Sequence, residues 1–155
     1  MITDKIKFSD KYLDFLYYND ADFECLEGTT ASGKTTTGII KFMLHVAASD
    51  RKQHIISGRD LGVVEKNIIT SELGILDIFG KHVQYYPHGG NGDNLPHIEM
   101  QRPDGVRIVY ILGYDNKARW QKALGGQYGC VYVDEINIAD MDYITQVAMR
   151  CDYFM

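Results

Sequence analysis

Two periods of apolar residues alternate along the first half of the chain. In "SDKYLDFLYYND" (9–20), Tyr12, Leu13, Leu16 and Tyr17 fall on one helical face and Ser9 is placed to cap it. "DFECLEG" (22–28) alternates loosely, as a strand does, and ends on glycine. "TTTGIIKFMLHVAA" (35–48) is long and apolar enough for a helix buried on much of its circumference. "QHIISG" (53–58) reads as another short strand, and "LGVVEKNIITSEL" (61–73) as a second helix with Leu61, Val63, Val64 and Ile68 turned inward. Strand, helix, strand, helix predicts a parallel sheet covered by helices.

The second half reads differently. "HVQYY", "HIEMQ" and "VRIVYILG" are strand-like, and the last two are joined by the turn signal "RPDG". Between the first two runs a glycine- and asparagine-rich loop, "PHGGNGDNLP". "DNKARWQKALGG" predicts a short helix closed by Gly125 or Gly126. In "GCVYVDE" the continuous apolar run Cys130 to Val133 predicts a central strand buried on both faces, and "IADMDYITQVAMR" a helix after it. "CDYFM" begins a further strand.

Composition narrows the picture. The 155 residues fit one domain with a substantial core, and no repeat or linker divides them. No apolar stretch reaches membrane-spanning length, and "MITDKIKFSD" lacks a secretory apolar segment, so a cytoplasmic location is expected. Three widely spaced cysteines, Cys25, Cys130 and Cys151, give neither a disulfide framework nor zinc spacing and read as small buried hydrophobes. A formal charge of −5 disfavours a whole-surface nucleic-acid binder. A small basic face, Lys117, Arg119 and Lys122, is either a local DNA contact or a solvated helix face.

The chemistry concentrates in two places. "GTTASGKT" fits G-x-x-x-x-G-K-S/T, with Gly28, Gly33, Lys34 and Thr35 in the defining positions. Glycine permits torsions that turn successive amides toward phosphate oxygens, and the following helix starts with free N–H groups at its positive end. Gly28, Thr29, Thr30, Ala31, Ser32 and Gly33 would form the cradle, Lys34 would reach the β- and γ-phosphates, Thr35 would ligate Mg²⁺, and Thr36 would reach the α-phosphate. A hundred residues on, an apolar strand ends in Asp134 and Glu135. Adjacent carboxylates there are costly without a cation or a water to act on. Asp134 would hold Mg²⁺ through water, and Glu135 would polarise a water for attack on the γ-phosphate. A dedicated water activator suits ATP hydrolysis better than phosphate transfer to a small molecule, and no N-K-x-D sequence for guanine follows a strand.

With both motifs in place, the chain resembles the N-terminal ATPase part of a tailed-phage terminase large subunit, the motor that packages viral DNA. The resemblance rests on "GTTASGKTT", "HIISGRDLGVVEKNII", the hairpin "HIEMQRPDGVRIVYILGYDN", "RWQKALGGQYG" and "VYVDEINIAD". It implies a P-loop three-layer α/β sandwich: a mostly parallel sheet, helices on both faces, and a β-hairpin insertion. It also implies ATP and Mg²⁺ as cofactors and action on double-stranded DNA as a homo-oligomeric ring. Portal and small terminase subunit are the implied partners, in the host cytoplasm. Thr29 to Ser32 lack the basic residue common in the family's phosphate loop, which makes Arg59 and Arg119 the candidate charge-stabilising arginines. Gln127 is a candidate for the γ-phosphate region, and Phe8 and Tyr12 for the adenine. The resemblance also implies a coupling strand, further sheet and a nuclease domain; "CDYFM" stops where the coupling strand should begin, as in a fragment or interrupted gene. Alternatives that share the motifs are a helicase-type or partition ATPase, a nucleotide kinase, and a binding module with little turnover.

Overall fold

The structure, a computed structural model, describes residues 6–18, 20–90 and 95–155. The first five residues of the N-terminal segment and residues 91–94 of the glycine-rich loop lie outside the described residues. Among the described residues six strands form one sheet: β1 (Gln53–Gly58), β2 (Val83–Tyr86), β3 (His97–Arg102), β4 (Gly105–Gly113), β5 (Tyr128–Val133) and β6 (Cys151–Phe154), in the order β2-β3-β4-β1-β5-β6. The pairs β4–β1, β1–β5 and β5–β6 are parallel, and only β3 runs against the rest. The hairpin is thus fused to the parallel sheet through β4, which serves both.

Alternation along the strands sorts the core into two layers. Ile56, Cys130, Tyr132 and Tyr153 face the side covered by α2 (Lys34–Ala48), α3 (Leu61–Val64) and α4 (Ile75–Phe79). Ile55, Val131, Val133 and Phe154 face α5 (Lys117–Ala123) and α6 (Met141–Ala148). Every residue of β5 is buried, as expected of a strand covered on both faces. The result is a three-layer α/β sandwich.

Several elements depart from the sequence expectation. The segment expected as a strand at 22–28 makes only a bridge, Phe23 with Phe154, through Glu24 N–H to Phe154 O at 2.9 Å and Phe154 N–H to Asp22 O at 2.8 Å. It lies outside β6, so it pairs on one side only, and Cys25 is exposed rather than buried. The helix expected at 61–73 is α3 followed by a π-helical turn, Glu65–Ile69, which turns both Ile68 and Ile69 into the core. α1 (Asp10–Tyr17) is capped by Ser9 as expected, but its inner face is Tyr12, Phe15 and Leu16; Leu13 and Tyr17 face outward. α5 ends at Ala123 and is capped by Leu124 (φ −83, ψ 22), and neither Gly125 nor Gly126 takes the left-handed form.

Candidate nucleotide site

Parallel strands share one C-terminal edge, and the sheet's register places the chemistry there. Ser57 aligns with Val133 and Gly58 with Gly113, so β1, β4 and β5 end together. The Asp134 N–H bonds Ser57 O at 2.9 Å and carries the ladder one residue past β5. The segment 22–24 runs parallel beside β6 and delivers the glycine loop to the same edge.

The loop turns through two left-handed residues, Ala31 (φ 60) and Gly33 (φ 81), the second also capping α2. A left-handed residue with a Cβ is strained by roughly 1–2 kcal/mol, which explains glycine at 33 and marks Ala31 as held by its surroundings. Lys34 Nζ folds back over the loop and donates to Gly28 O (2.8 Å) and Thr29 O (3.0 Å). The Thr37 hydroxyl donates to Gly33 O at 2.9 Å and ties α2's first turn to the loop. The Ser32 hydroxyl oxygen is buried without a hydrogen-bond partner. Ser32, like Thr29 and Gly33, does not line the adjoining cleft, which the loop meets through Gly28, Thr30, Ala31 and Lys34.

A cleft of about 680 Å³ opens here, with Gly28, Thr30, Lys34, Thr35 and Thr36 on one side and Asp134 and Glu135 on the other. Burial raises the Asp134 carboxyl above its ordinary pKa of 3.8; the neighbouring Glu135 charge raises it further, and Lys34 acts against both. A half-buried carboxylate with only one lysine nearby suits a cation, and with the Thr35 hydroxyl in the same cleft the donor set is all oxygen, as Mg²⁺ prefers. Glu135 is exposed to the cleft and left-handed (φ 51, ψ 48), opening the 3₁₀ turn Ile136–Ile138.

The other candidates fall in different places. Arg59, exposed just after β1, acts electrostatically on Tyr114 beside the acid pair but does not line the cleft. Arg119 is exposed on α5 and also lies off the cleft wall. Lys117, of the same basic face, pairs with Asp142 at 3.3 Å. Gln127 precedes β5 and so sits at the opposite edge of the sheet, about 23 Å from Asp134 at roughly 3.3 Å per strand residue. That distance removes Gln127 from the γ-phosphate region. Tyr12 does not line the cleft; its hydroxyl donates to Ser32 O, and its ring lies 3.6 Å from where a Cβ on Gly33 would be. It braces the loop from behind. Phe8 is half-buried and also off the cleft wall.

Sequence reasoning missed two sets of residues. Asn67, Ser71 and Leu73 line the cleft because the π turn after α3 redirects the chain, which no helical periodicity announces. Lys41 is wholly buried on α2, pairing with Glu24 and donating to Phe15 O (2.6 Å) and Tyr18 O. A lysine within the apolar run 39–46 was its only signal.

Known proteins share this fold. The large terminase of a thermophilic bacteriophage superposes with a TM-score of 0.79 at 17% identity, over 96% of this chain and 38% of that one. The same terminase in complex with ADP gives 0.73 at 18% identity, over 96% and 38%. Its complex with ATP-γ-S gives 0.69 at 19%, over 94% and 35%. The present chain thus spans little more than a third of those terminases, and at such identities the likeness speaks for the fold. No curated protein matches by sequence. The family model for the N-terminal part of terminase large subunits of the T4-like-virus type matches residues 25–149, which takes in the glycine loop, the hairpin and the acid pair. Over most of its length, therefore, the chain belongs to the terminase large subunit family, as its N-terminal region.

Proposed function

We propose that the cleft binds ATP with Mg²⁺ and hydrolyses it, as the ATPase part of a viral DNA-packaging motor. One observation carries the reading: Lys34 and Thr35 share a single cleft with Asp134 and Glu135, a hundred residues away in sequence. The loop amides and the N-terminus of α2 bind phosphate oxygens, and Lys34 exchanges the Gly28 and Thr29 carbonyls for the β- and γ-phosphates. Thr35 and Asp134 would hold the Mg²⁺, whose charge draws electron density from the terminal phosphate. Glu135 accepts a proton from the attacking water. Thr36 faces the α-phosphate, and Tyr12 keeps the loop in shape rather than touching the base.

Charge developing in the transition state calls for an arginine. Arg59 is the nearer of the two candidates in its electrostatic effect on the acid-pair region, with Arg119 the second. Work on double-stranded DNA, a homo-oligomeric ring, contact with portal and small terminase subunit, and residence in host cytoplasm belong to the same proposal. Family membership supports them. Among the described residues no helix is long and apolar enough to cross a membrane.

Titration calorimetry and steady-state hydrolysis on the purified chain test the reading. Lys34→Ala should weaken Mg-ATP binding about 10- to 100-fold, the worth of one or two charge-assisted hydrogen bonds. Glu135→Gln should keep the nucleotide while slowing hydrolysis about 100-fold or more, as loss of a general base does. Absence of ATP binding, or turnover indifferent to Glu135→Gln, would overturn the proposal.

A further inference from the structure

Tyr114 stands one residue past β4, and two features fix it there. Its N–H bonds Gly58 O at 2.9 Å, and β4 ends so close to the β1–α3 turn that a Cβ on Gly113 would meet Asp60 Cα at 2.9 Å. The ring is 5% exposed and packs on Tyr143 at 5.9 Å between centroids. Its hydroxyl donates to the carbonyls of both acid-pair residues, Asp134 O at 3.2 Å and Glu135 O at 3.3 Å.

Those carbonyls flank a backbone that does not hold its shape unaided. Glu135 is left-handed without being glycine, a conformation that persists only where neighbours enforce it. On one side the Asp134 N–H is held by Ser57 O, and on the other the Ile138 N–H closes the 3₁₀ turn onto Glu135 O at 3.0 Å. We infer that Tyr114 is a positioning residue: its bifurcated hydrogen bond fixes the Asp134–Glu135 peptide so that the Glu135 carboxylate points into the cleft. The inference rests on the reading of Glu135 as the water-activating carboxylate.

Tyr114→Phe keeps the ring in its socket and removes only the hydroxyl. In the full chain, kcat should fall about five-fold, the factor one ordinary hydrogen bond is worth, with KM for Mg-ATP unchanged. Hydrogen exchange at the Ile138 amide should quicken by a similar factor, since the turn it closes is loosened. Placed on Glu135→Gln, the same substitution should slow hydrolysis no further, because there is no carboxylate left to aim. Wild-type kcat together with wild-type Ile138 exchange would overturn the inference, and so would an equal loss on both backgrounds. If the unaltered chain does not hydrolyse ATP, the proposed function fails by itself, and Ile138 exchange still decides whether Tyr114 holds the Glu135 turn.

Discussion

Replacing Lys41 by methionine should both destabilise the chain and loosen its phosphate loop. Lys41 is 0% exposed, and its ammonium gathers three acceptors: Glu24 Oε1, Phe15 O and Tyr18 O, with the Phe15 ring 4.1 Å away. Glu24 spends its other oxygen on the Tyr153 hydroxyl at 2.6 Å. The cluster therefore ties the end of α1, the helix after the loop, the segment before the loop and β6 at one point. Methionine fills most of the volume but leaves a largely buried carboxylate and two carbonyls without their donor. Breaking one side of a buried pair costs about 3–5 kcal/mol, against a total of roughly 5–15 kcal/mol for a domain. At 2–4 °C per kcal/mol for a chain of this size, Tm should drop by about 6–20 °C.

The functional consequence follows from α1. Its far end presents Tyr12 to Ser32 O, so releasing its near end lets the brace leave the loop. Mg-ATP affinity should fall even at temperatures where the variant remains folded. The double variant Lys41→Met, Glu24→Gln removes both charges and should regain much of the lost stability, because the uncompensated carboxylate is gone. Thermal unfolding by circular dichroism and titration calorimetry read both effects. A Tm within about 2 °C of wild type, less than the smallest drop expected above, or a double variant no better than the single one, would refute the reasoning.

Two further outcomes are expected. Burial lowers the His54 imidazole from its ordinary 6.5 to about 4; Nδ1 accepts from the Cys130 N–H at 3.0 Å, and Nε2 donates to Arg51 O at 3.0 Å. Because the folded value lies below the unfolded one, its contribution is complete above pH 6.5 and is lost as pH falls toward 4, about 3 kcal/mol in all. Urea midpoints at about pH 7.5 and about pH 4.5 should therefore separate more for wild type than for His54→Gln, and equal separations would exclude His54. Gly33→Ala, at φ 81, should lower stability by about 1–2 kcal/mol and weaken ATP binding, read by denaturation and calorimetry; unchanged values in both would show that the loop tolerates a Cβ there.

Legibility in the sequence followed the range of the forces involved. β1 could be read residue for residue, and β5 from Cys130 to Val133 though not its first two residues, because a strand buried on both faces has no polar period to confuse it. The phosphate loop was legible because its chemistry is local: backbone torsion, helix N-terminus and lysine all lie within the single run Gly28 to Thr36. The π turn at Glu65–Ile69 was not, since it exists to bring Ile68 and Ile69 under the sheet's hairpin side, a tertiary demand. Asp22 to Gly28 looked like a strand by alternation, but strand identity depends on partners, and its bridge is to β6 alone. Tyr114 could not be singled out at all, because its role depends on register between β4 and β5 across β1.

The same geometry bears on how the loop and β6 communicate. β6 lies between β5, which carries the acid pair, and the segment that leads into the loop; it pairs with β5 in parallel, the residues flanking it adding Tyr128 N–H to Arg150 O at 2.7 Å and Met155 N–H to Val131 O at 2.9 Å, and on the other side Phe154 N–H bonds Asp22 O at 2.8 Å. Its Tyr153 reaches Glu24, hence Lys41, hence α1 and Tyr12 behind the loop. A shift of β6 cannot leave either half of the site untouched, since both are anchored to it by short backbone bonds and one buried ion pair. The two halves also differ in how they are held. The acid pair is tied to β6 through the ladder bonds of β5, whereas the loop is tied to β6 through the bridge at Phe23 and the Tyr153–Glu24–Lys41 chain, with Tyr12 and Thr37 holding it from α1 and α2.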